Sequence, residues 1–553
     1  MMIGNNTIDP KSYAGFTIGP IYDVLKHARK TREMWFGSYF FSWYMEELER
    51  ELQKNKKIEF LTPFIDNKEN DRRAGLYPDR FVLESSLSPE EIRNTIKTAN
   101  EKALKHFIQI INNLGSLPAI TFFKKKEIGN ILREYLQTNM VVLPAEKIAG
   151  KNVIETFWDY LDATEEHRHF KLGKSEKTCE RCHTLPSVAT AKVMDNNKEK
   201  DFDLCPLCLL KLFTLEVVDV QNKISGWHRY PSTGEISAVE LVEPFRKNDG
   251  TYQDELQNYF DKHDEIEFDD IEFRQIVNKE IKPYHKYIAI LDADGDKIGE
   301  LAKKVKDPTA FSEMLFNFGK ESYEICSDYS RSGKGIGEPI YIGGDDVLAF
   351  LPVAYRKSDK DITTIIDLAM DLNKAFKVQM KSTEVGFSIG ISIAYYKHPL
   401  AVTLNKSREM LKIAKAQDGK DTLAIHLKKH SGNDAQVVFS FKESERLKEF
   451  NGLLKAILLS EEDLMGSIHY NLLRFKNLLI QIETKEQLTN FFDNNFSDQK
   501  KAGYTGIDHV QNMFEMALGL NSVAIPANSR EKAVNEVLDQ LWFIKFLVGK
   551  EEE

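Results

Sequence analysis

The chain is short of several features, and each shortage removes a class of reading. Only five cysteines occur in 553 residues, too few for the disulfide framework of a small secreted scaffold. No apolar run is long enough to span a bilayer, so no membrane partner is expected. The opening Met1-Met2-Ile3-Gly4-Asn5-Asn6 has neither a basic start nor an apolar stretch; no secretory signal is expected, and a cytoplasmic location is the default. Positive charge is also scarce. A net charge of −10 argues against binding nucleic acid through a large unaided basic surface, because such binding is dominated by phosphate neutralisation. A local groove or a basic partner stays open. A Walker phosphate loop is missing: Gly333, Gly335 and Gly337 lack its spacing and the Lys-Ser/Thr that follows, so they read as a connection.

What is present is the composition of a soluble globular protein, 42% hydrophobic and 29% charged, with length for roughly three to five domains. Residues 1–165 open with an apolar strand at 16–18, an aromatic-rich helix from Ile21 to Gln53, strands at 58–64 and 80–83, and a helix at 89–114. This block reads as α+β. Trp35, Phe36, Tyr39, Phe40, Phe41, Trp43 and Tyr44 make the first long helix apolar almost all round, which marks a buried element.

Residues 166–282 bring a change of character. Cys179, Cys182, Cys205 and Cys208 form two CxxC pairs separated by 22 residues, a spacing compatible with a closed tetrahedral zinc site. Four thiolates leave no open coordination position, so the expected role is structural. An acidic connector follows from Asp254 to Glu272. His183 reads as a bystander, and Cys326 as a buried thiol.

Residues 283–434 have the order strand, helix, strand, strand, helix, strand, the ferredoxin-like split unit with helices expected on one side of an antiparallel sheet. The strand at 287–291 runs into Asp292-Ala293-Asp294-Gly295-Asp296, and Gly343-Gly344-Asp345-Asp346 joins two apolar runs as a hairpin. At 387–394, Phe387, Ile389, Ile391 and Ile393 alternate with Ser388, Gly390, Ser392 and Ala394; a face of small residues leaves room for a ligand or a closely packed element. Taken alone, a Gly-Gly-Asp-Asp turn needs no function. The split unit, however, brings the acidic strand end beside it, with no lysine or arginine inside either cluster before Lys297. Crowded carboxylates call for a cation, and Mg²⁺ or Mn²⁺ with hard oxygen ligands suits phosphoryl transfer. Residues 435–553 read as all-helical.

The Ala293-to-Gly299 stretch, the Gly343–Asp346 hairpin and the later Ala414-Lys415 before Gly419-Lys420 resemble the GGDEF-type Palm of nucleotide cyclases and polymerases. More closely, they resemble the large subunit of type III CRISPR effector complexes. Phe16-Thr17-Ile18-Gly19-Pro20-Ile21, Ala28-Arg29-Lys30-Thr31-Arg32 and Trp35-Phe36-Gly37-Ser38-Tyr39 are similar to the degenerate first Palm of its Cmr branch, type III-B. The resemblance implies an α+β multidomain chain: two ferredoxin-like Palms, the second carrying Gly-Gly-Asp-Asp, with the zinc module between them and a helical domain after them.

It also implies an ATP-using synthase of a second messenger, activated when a guide-RNA complex with other subunits binds target RNA. Asp294, Asp345 and Asp346 are then the catalytic metal ligands. Gly295, Gly343, Gly344, Ser388 and Lys415 are the nucleotide-contact candidates, with Lys415 equally readable as a solvated helix lysine. Whether Asp292 or Asp296 also binds metal stays open. The product is cyclic oligoadenylate, or AMP joined to S-adenosylmethionine as co-substrate. Many relatives begin with a histidine-aspartate nuclease domain; this chain is expected to lack one, its only His-Asp pair being His263-Asp264 in the connector. The alternatives are a free-standing cyclase and an inactive scaffold subunit.

Overall fold

The computed structural model describes residues 11–64, 74–166, 177–195, 198–216, 229–247, 251–263, 265–304, 307–328, 337–381, 385–460, 465–501, 504, 506–520 and 526–549. Met1 to Asn6, Asp264, Gly333 and Gly335 lie outside the described residues.

The first sheet contains β1 (Ser12–Gly19), β2 (Ile58–Thr62), β3 (Arg80–Ser85) and β5 (Gln137–Pro144), in the order β2-β3-β1-β5. Between β1 and β2 the expected single helix is two, Ile21–Leu25 and Thr31–Gln53. The break falls at Lys26-His27-Ala28-Arg29-Lys30, where Lys30 is extended (φ −118°, ψ 153°) and the positive charges are poorly placed for a helix start. The second of these helices is buried on nearly every side. It packs on the helix Pro89–Asn113, on the cysteine-bearing helix Pro206–Phe213 and on the strand Glu338–Gly343. Pro89–Asn113 starts as the sequence predicts, with Ser88 and Glu91 forming a reciprocal capping box.

A small sheet, β4-β6-β7, joins β4 (Ile120–Phe122) of the first block to β6 (Ala189–Asp195) and β7 (Lys198–Leu204) of the cysteine module. The two blocks share a core: all four paired cysteines belong to the same apolar cluster as Trp35, Phe40 and Phe107. A buried ion pair between Arg181 and Glu33 ties them further.

The second large sheet runs β15-β14-β13-β8-β10-β9. It is built from β8 (Tyr287–Asp296), β9 (Glu338–Gly343), β10 (Asp346–Pro352), β13 (Gly386–Tyr395), β14 (Thr422–Lys428) and β15 (Asp434–Ser440), while β11 (Ala354–Ser358) and β12 (Asp361–Thr364) form a separate hairpin. In both large sheets the first four strands by sequence take the spatial order 2-3-1-4, the ferredoxin-like arrangement.

Three expectations are corrected here. β8 does not end at Leu291: it continues through the aspartates to Asp296, paired with β10 as far as Ala293 and with β13 throughout. Helices cover both faces of the sheet. Ala289, Leu291, Ala293, Phe387 and Ile389 join the core under the helices Pro308–Ser327 and Ile365–Met380, whereas Ile288, Ile290, Leu348 and Phe350 pack with the first block and with Leu400 and Leu404 of the helix Leu400–Ala416. Finally, β15 precedes the C-terminal helices.

The small-residue face of β13 explains the two-sided packing. A Cβ added at Gly390 would lie 2.1 Å from the backbone nitrogen of Leu411 and 2.4 Å from the carbonyl oxygen of Ser407. That face therefore receives a helix. The edge strand β9 is covered too: Ile342 N–H donates to the Gly75 carbonyl oxygen at 3.0 Å, which keeps the edge from offering a free template.

Candidate active site between the two sheets

The hairpin owes its shape to its glycines. Gly343 closes β9 opposite Asp346, which opens β10, so Gly344 and Asp345 form a two-residue turn. Gly344 has φ +68°, as expected where glycine is first in such a turn. A Cβ on Gly343 would lie 2.1 Å from the Tyr341 hydroxyl and 2.4 Å from Cζ, so the ring needs a glycine beneath it.

Sheet register sets the direction of each carboxylate. Val347 pairs with Ala293 across β10 and β8, and one further step brings Asp346 opposite Asp294, which pairs with Ser388 on its other side. Alternation puts Asp292, Asp294 and Asp346 on the face that receives the helix Leu400–Ala416. Asp345 turns the other way. Its carboxylate accepts from the Gly295 N–H, and a Cβ at Gly295 would sit 2.8 Å from its Oδ2 and 2.9 Å from the Phe376 ring. Gly295 thus has a structural reason to be glycine.

Two cations reach this face from one helix. Arg408 Nε lies 3.5 Å from Asp292 Oδ2, and Lys415 forms an ion pair with Asp294. The Arg408 guanidinium also lies 4.2 Å from the ring centroid of Tyr22 in the first block, whose hydroxyl bonds Asn405. Asp292, Asp345 and Asp346 are nonetheless reluctant to ionise. Burial pushes Asp292 up to about 6 against the opposing pull of Arg408 and Lys415. Burial also pushes Asp345 up to about 6, with Asp296 adding to it and backbone N–H groups opposing. Asp346 is exposed at the hairpin tip, yet desolvation in the cleft and the charges of Asp345, Asp292 and Asp79 raise it well above the ordinary range. Desolvation and Lys420 lower Lys415 to about 8. At that value it is still cationic at neutral pH, consistent with its contact to Asp294.

An inner layer supports the row. Ser388 is fully buried and donates to Asp296 Oδ2 at 2.7 Å, and Asp421 N–H donates to the same oxygen at 2.9 Å. Asp421 in turn accepts from Asn373 and Lys377, both at 2.6 Å. Ser388 thus braces Asp296 from inside and presents no free hydroxyl to a nucleotide. Arg408 and Tyr22 are the neighbours that motif reasoning left without a role, and Asp292 is the one whose role it left open. The period-two pattern of β8 carried the signal for Asp292, whereas Tyr22 lies hundreds of residues away in sequence.

Crowded oxygen ligands with raised proton affinity suit a hard divalent cation. Asp292, Asp294 and Asp346 share one face, with Asp345 on the other side of the hairpin, although among the described residues only the four cysteines already have three or more ligand atoms gathered within 4.8 Å. Elsewhere, the ligand atoms of Cys179, Cys182, Cys205 and Cys208 lie within 4.8 Å of one another, all buried. The Cys208 N–H donates to Cys205 Sγ at 3.4 Å. This geometry fits a zinc ion. His183 is exposed and outside the cluster. Among the described residues no helix is long and apolar enough to cross a membrane.

Comparison with known proteins agrees with both sheets. Residues 287–424 match the model of the second palm domain of Cas10/Cmr2, and residues 13–111 match that of the N-terminal region of CRISPR-associated protein Cmr2. The CRISPR system Cmr subunit Cmr2 of Pyrococcus furiosus is 27% identical over 424 residues, covering 64% of this chain and 46% of that protein. The chain therefore spans about half the length of the curated relative it matches. Among solved structures, a type III-B Cmr-beta complex in its apo state aligns with TM-score 0.58 at 14% identity, over 87% of this chain and 76% of the other. The same kind of complex bound to cognate target RNA aligns at 0.55 and 13%, over 88% and 78%. One Cas10/Cmr2 family model thus falls on the first block and another on the second large sheet.

Proposed function

We propose that this chain is the catalytic large subunit of a type III-B RNA-guided effector complex, making a nucleotide second messenger from ATP when the complex holds target RNA. The observation that carries the reading is the convergence of Asp294 and Asp346, with Asp292 beside them, on a sheet face lined by Arg408 and Lys415. The cofactors are Mg²⁺ or Mn²⁺ at the carboxylates and structural zinc at the four cysteines. Divalent ions bound there would lower the pKa of an attacking ribose hydroxyl and neutralise the departing pyrophosphate. Asp294, Asp346 and Asp292 orient by register, Asp345 is held at the turn, and Gly295, Gly343 and Gly344 keep the backbone close enough for that arrangement. Lys415 is placed to exchange its contact with Asp294 for a substrate phosphate. The two sheets correspond, in this reading, to a degenerate first Palm and a catalytic second Palm.

The product is cyclic oligoadenylate, or AMP joined to S-adenosylmethionine. Partners are the other subunits of the complex, guide RNA and target RNA, which a chain of net charge −10 is poorly equipped to bind unaided. Target binding need only shift the two sheets between arrangements, and a differential affinity of a few kcal/mol suffices. The test is mass spectrometry of products from the isolated chain, the assembled complex, and the complex with matched target RNA, each given ATP with and without S-adenosylmethionine. Product only in the last sample supports the reading; equal product in all three would favour a free-standing cyclase.

A further inference from the structure

The helix Leu400–Ala416 brings Arg408 and Lys415 to the carboxylates, and its other end opens on a different space. From Leu400 to Lys415 the helix rises roughly 22 Å, at ~1.5 Å per residue. At its start lies a cavity of about 690 Å³, which is within the range of small-molecule sites. Six separate stretches of chain enclose it: residues 29–32 at the start of the helix Thr31–Gln53, Leu215, residues 229–235, the end of the helix Asp254–Lys262, residues 265–267, and residues 396–400 after β13.

The lining is cationic in a chain that is otherwise acidic. Arg29, Lys30, Arg32, Arg229 and Lys397 face Glu235, Glu265 and Glu267. Two of the three carboxylates are already matched: Glu235 takes both arms of Arg229 at 2.8 Å, and Glu267 pairs with Lys397. The third, Glu265, accepts from the hydroxyls of Ser232 and Thr233 and from the N–H groups of Gly234 and Ile266. Burial raises it to about 7, so a good part of its charge is absent at neutral pH. The Arg29 guanidinium is exposed and has no carboxylate partner among the described residues. Two long helices also begin here, at Lys30 and Pro399, and neither has a side-chain cap; their first N–H groups add positive potential to that of the side chains. Tyr230, Phe260 and Tyr396 also line the cavity, but all three are buried, with Tyr230 stacked on Trp35 and the Arg229 guanidinium 4.2 Å from the Phe260 ring centroid.

We propose that this cavity is a second ligand site, separate from the carboxylate face, which binds the phosphate of a nucleotide or of a nucleic-acid strand through Arg29, Arg32 and Lys397. Its ligand chemistry is a phosphate ester, whose phosphate the cations take. It needs no divalent ion, unlike the carboxylate face, and this difference makes it separable.

The experiment uses the full chain in buffer without divalent cations, with two probes, ADP and a ten-nucleotide RNA, followed by fluorescence anisotropy of labelled probe. Wild type binds at least one of them, more weakly as salt is raised. The double variant Arg29→Glu/Lys397→Glu, at two partly or fully exposed positions, weakens binding at least tenfold, Arg29→Lys stays within about threefold of wild type, and Asp346→Asn has no effect. Binding of ADP identifies a free nucleotide as the source, and binding of RNA alone identifies a strand. Should the double variant melt at lower temperature, Arg29→Ala alone is expected to weaken binding at least threefold. Failure of wild type to bind either probe, or equal binding by wild type and the charge-reversed or Arg29→Ala chain, overturns the proposal. So does loss of binding in Asp346→Asn.

Discussion

Replacing Gly390 by alanine tests the way the second sheet holds its cations. The added Cβ would lie 2.1 Å from Leu411 N, 2.4 Å from Ser407 O and 2.7 Å from Leu411 Cα, all backbone atoms of one helix, where ordinary contact begins at 3.4 Å. No rotamer relieves this, because nothing in the contact is a side chain. The helix must retreat by about 1.3 Å, the difference between 3.4 and 2.1 Å. Overpacking of this kind costs about 1–3 kcal/mol, which for a unit of this size lowers the melting temperature by roughly 2–12 °C. The functional effect is the larger one. Arg408 and Lys415 ride on the same helix, and a displacement near 1 Å typically costs about 10²-fold in rate. Calorimetry on the purified chain and product formation by the assembled complex read the two effects separately. A melting temperature within about 1 °C of wild type, together with turnover within about twofold, would refute the packing argument.

Changing any one of Cys179, Cys182, Cys205 or Cys208 to serine should release zinc measured by elemental analysis and expose the module to proteolysis, since a structural site contributes folding energy directly; freshly purified wild type without zinc would contradict this. Asp292 gives a pH signature. Its folded carboxyl keeps a proton up to about 6, against an ordinary value of 3.8, so between those values the native state binds more protons and the metal-free fold loses stability as pH rises. Asp292→Asn removes that loss. The variant should match wild type at about pH 4 and exceed it by about 2–3 kcal/mol at about pH 7.5 in divalent-free buffer, and a gap that does not change with pH would count against the burial of this carboxyl.

Much of this arrangement was legible in the sequence because the relevant signals are local. The paired CxxC spacing predicted the cysteine cluster, and the Gly-Gly-Asp-Asp turn between apolar runs predicted the β9–β10 hairpin. Strict alternation from Phe387 to Ala394 predicted β13 and allowed for a closely packed element on its small face, which proved to be the helix Leu400–Ala416. What stayed hidden was non-local. The continuation of β8 through three aspartates runs against the low strand propensity of Asp and Gly, and it is held by pairing with β13 along its whole length. The break at Lys26–Lys30 was masked by the apolar residues on either side of it. The burial of Ser388 against Asp296 could not be read from a strand that offers serine on an apparently open face, because the covering helix comes later in the chain. Tyr22 stacking on Arg408 joins residues from different blocks, and no pattern in a single sequence reports such a contact.

The most direct test of the central claim is product formation by the complex with matched target RNA and Mg²⁺, comparing wild type with Asp346→Ala and Asp294→Ala chains that still assemble. Removing a carboxylate that positions a divalent ion costs several kcal/mol of transition-state stabilisation, so each substitution should lower turnover by about two orders of magnitude or more. Turnover near the wild-type level in either variant would mean that the face shared by β8 and the hairpin is not where the chemistry takes place.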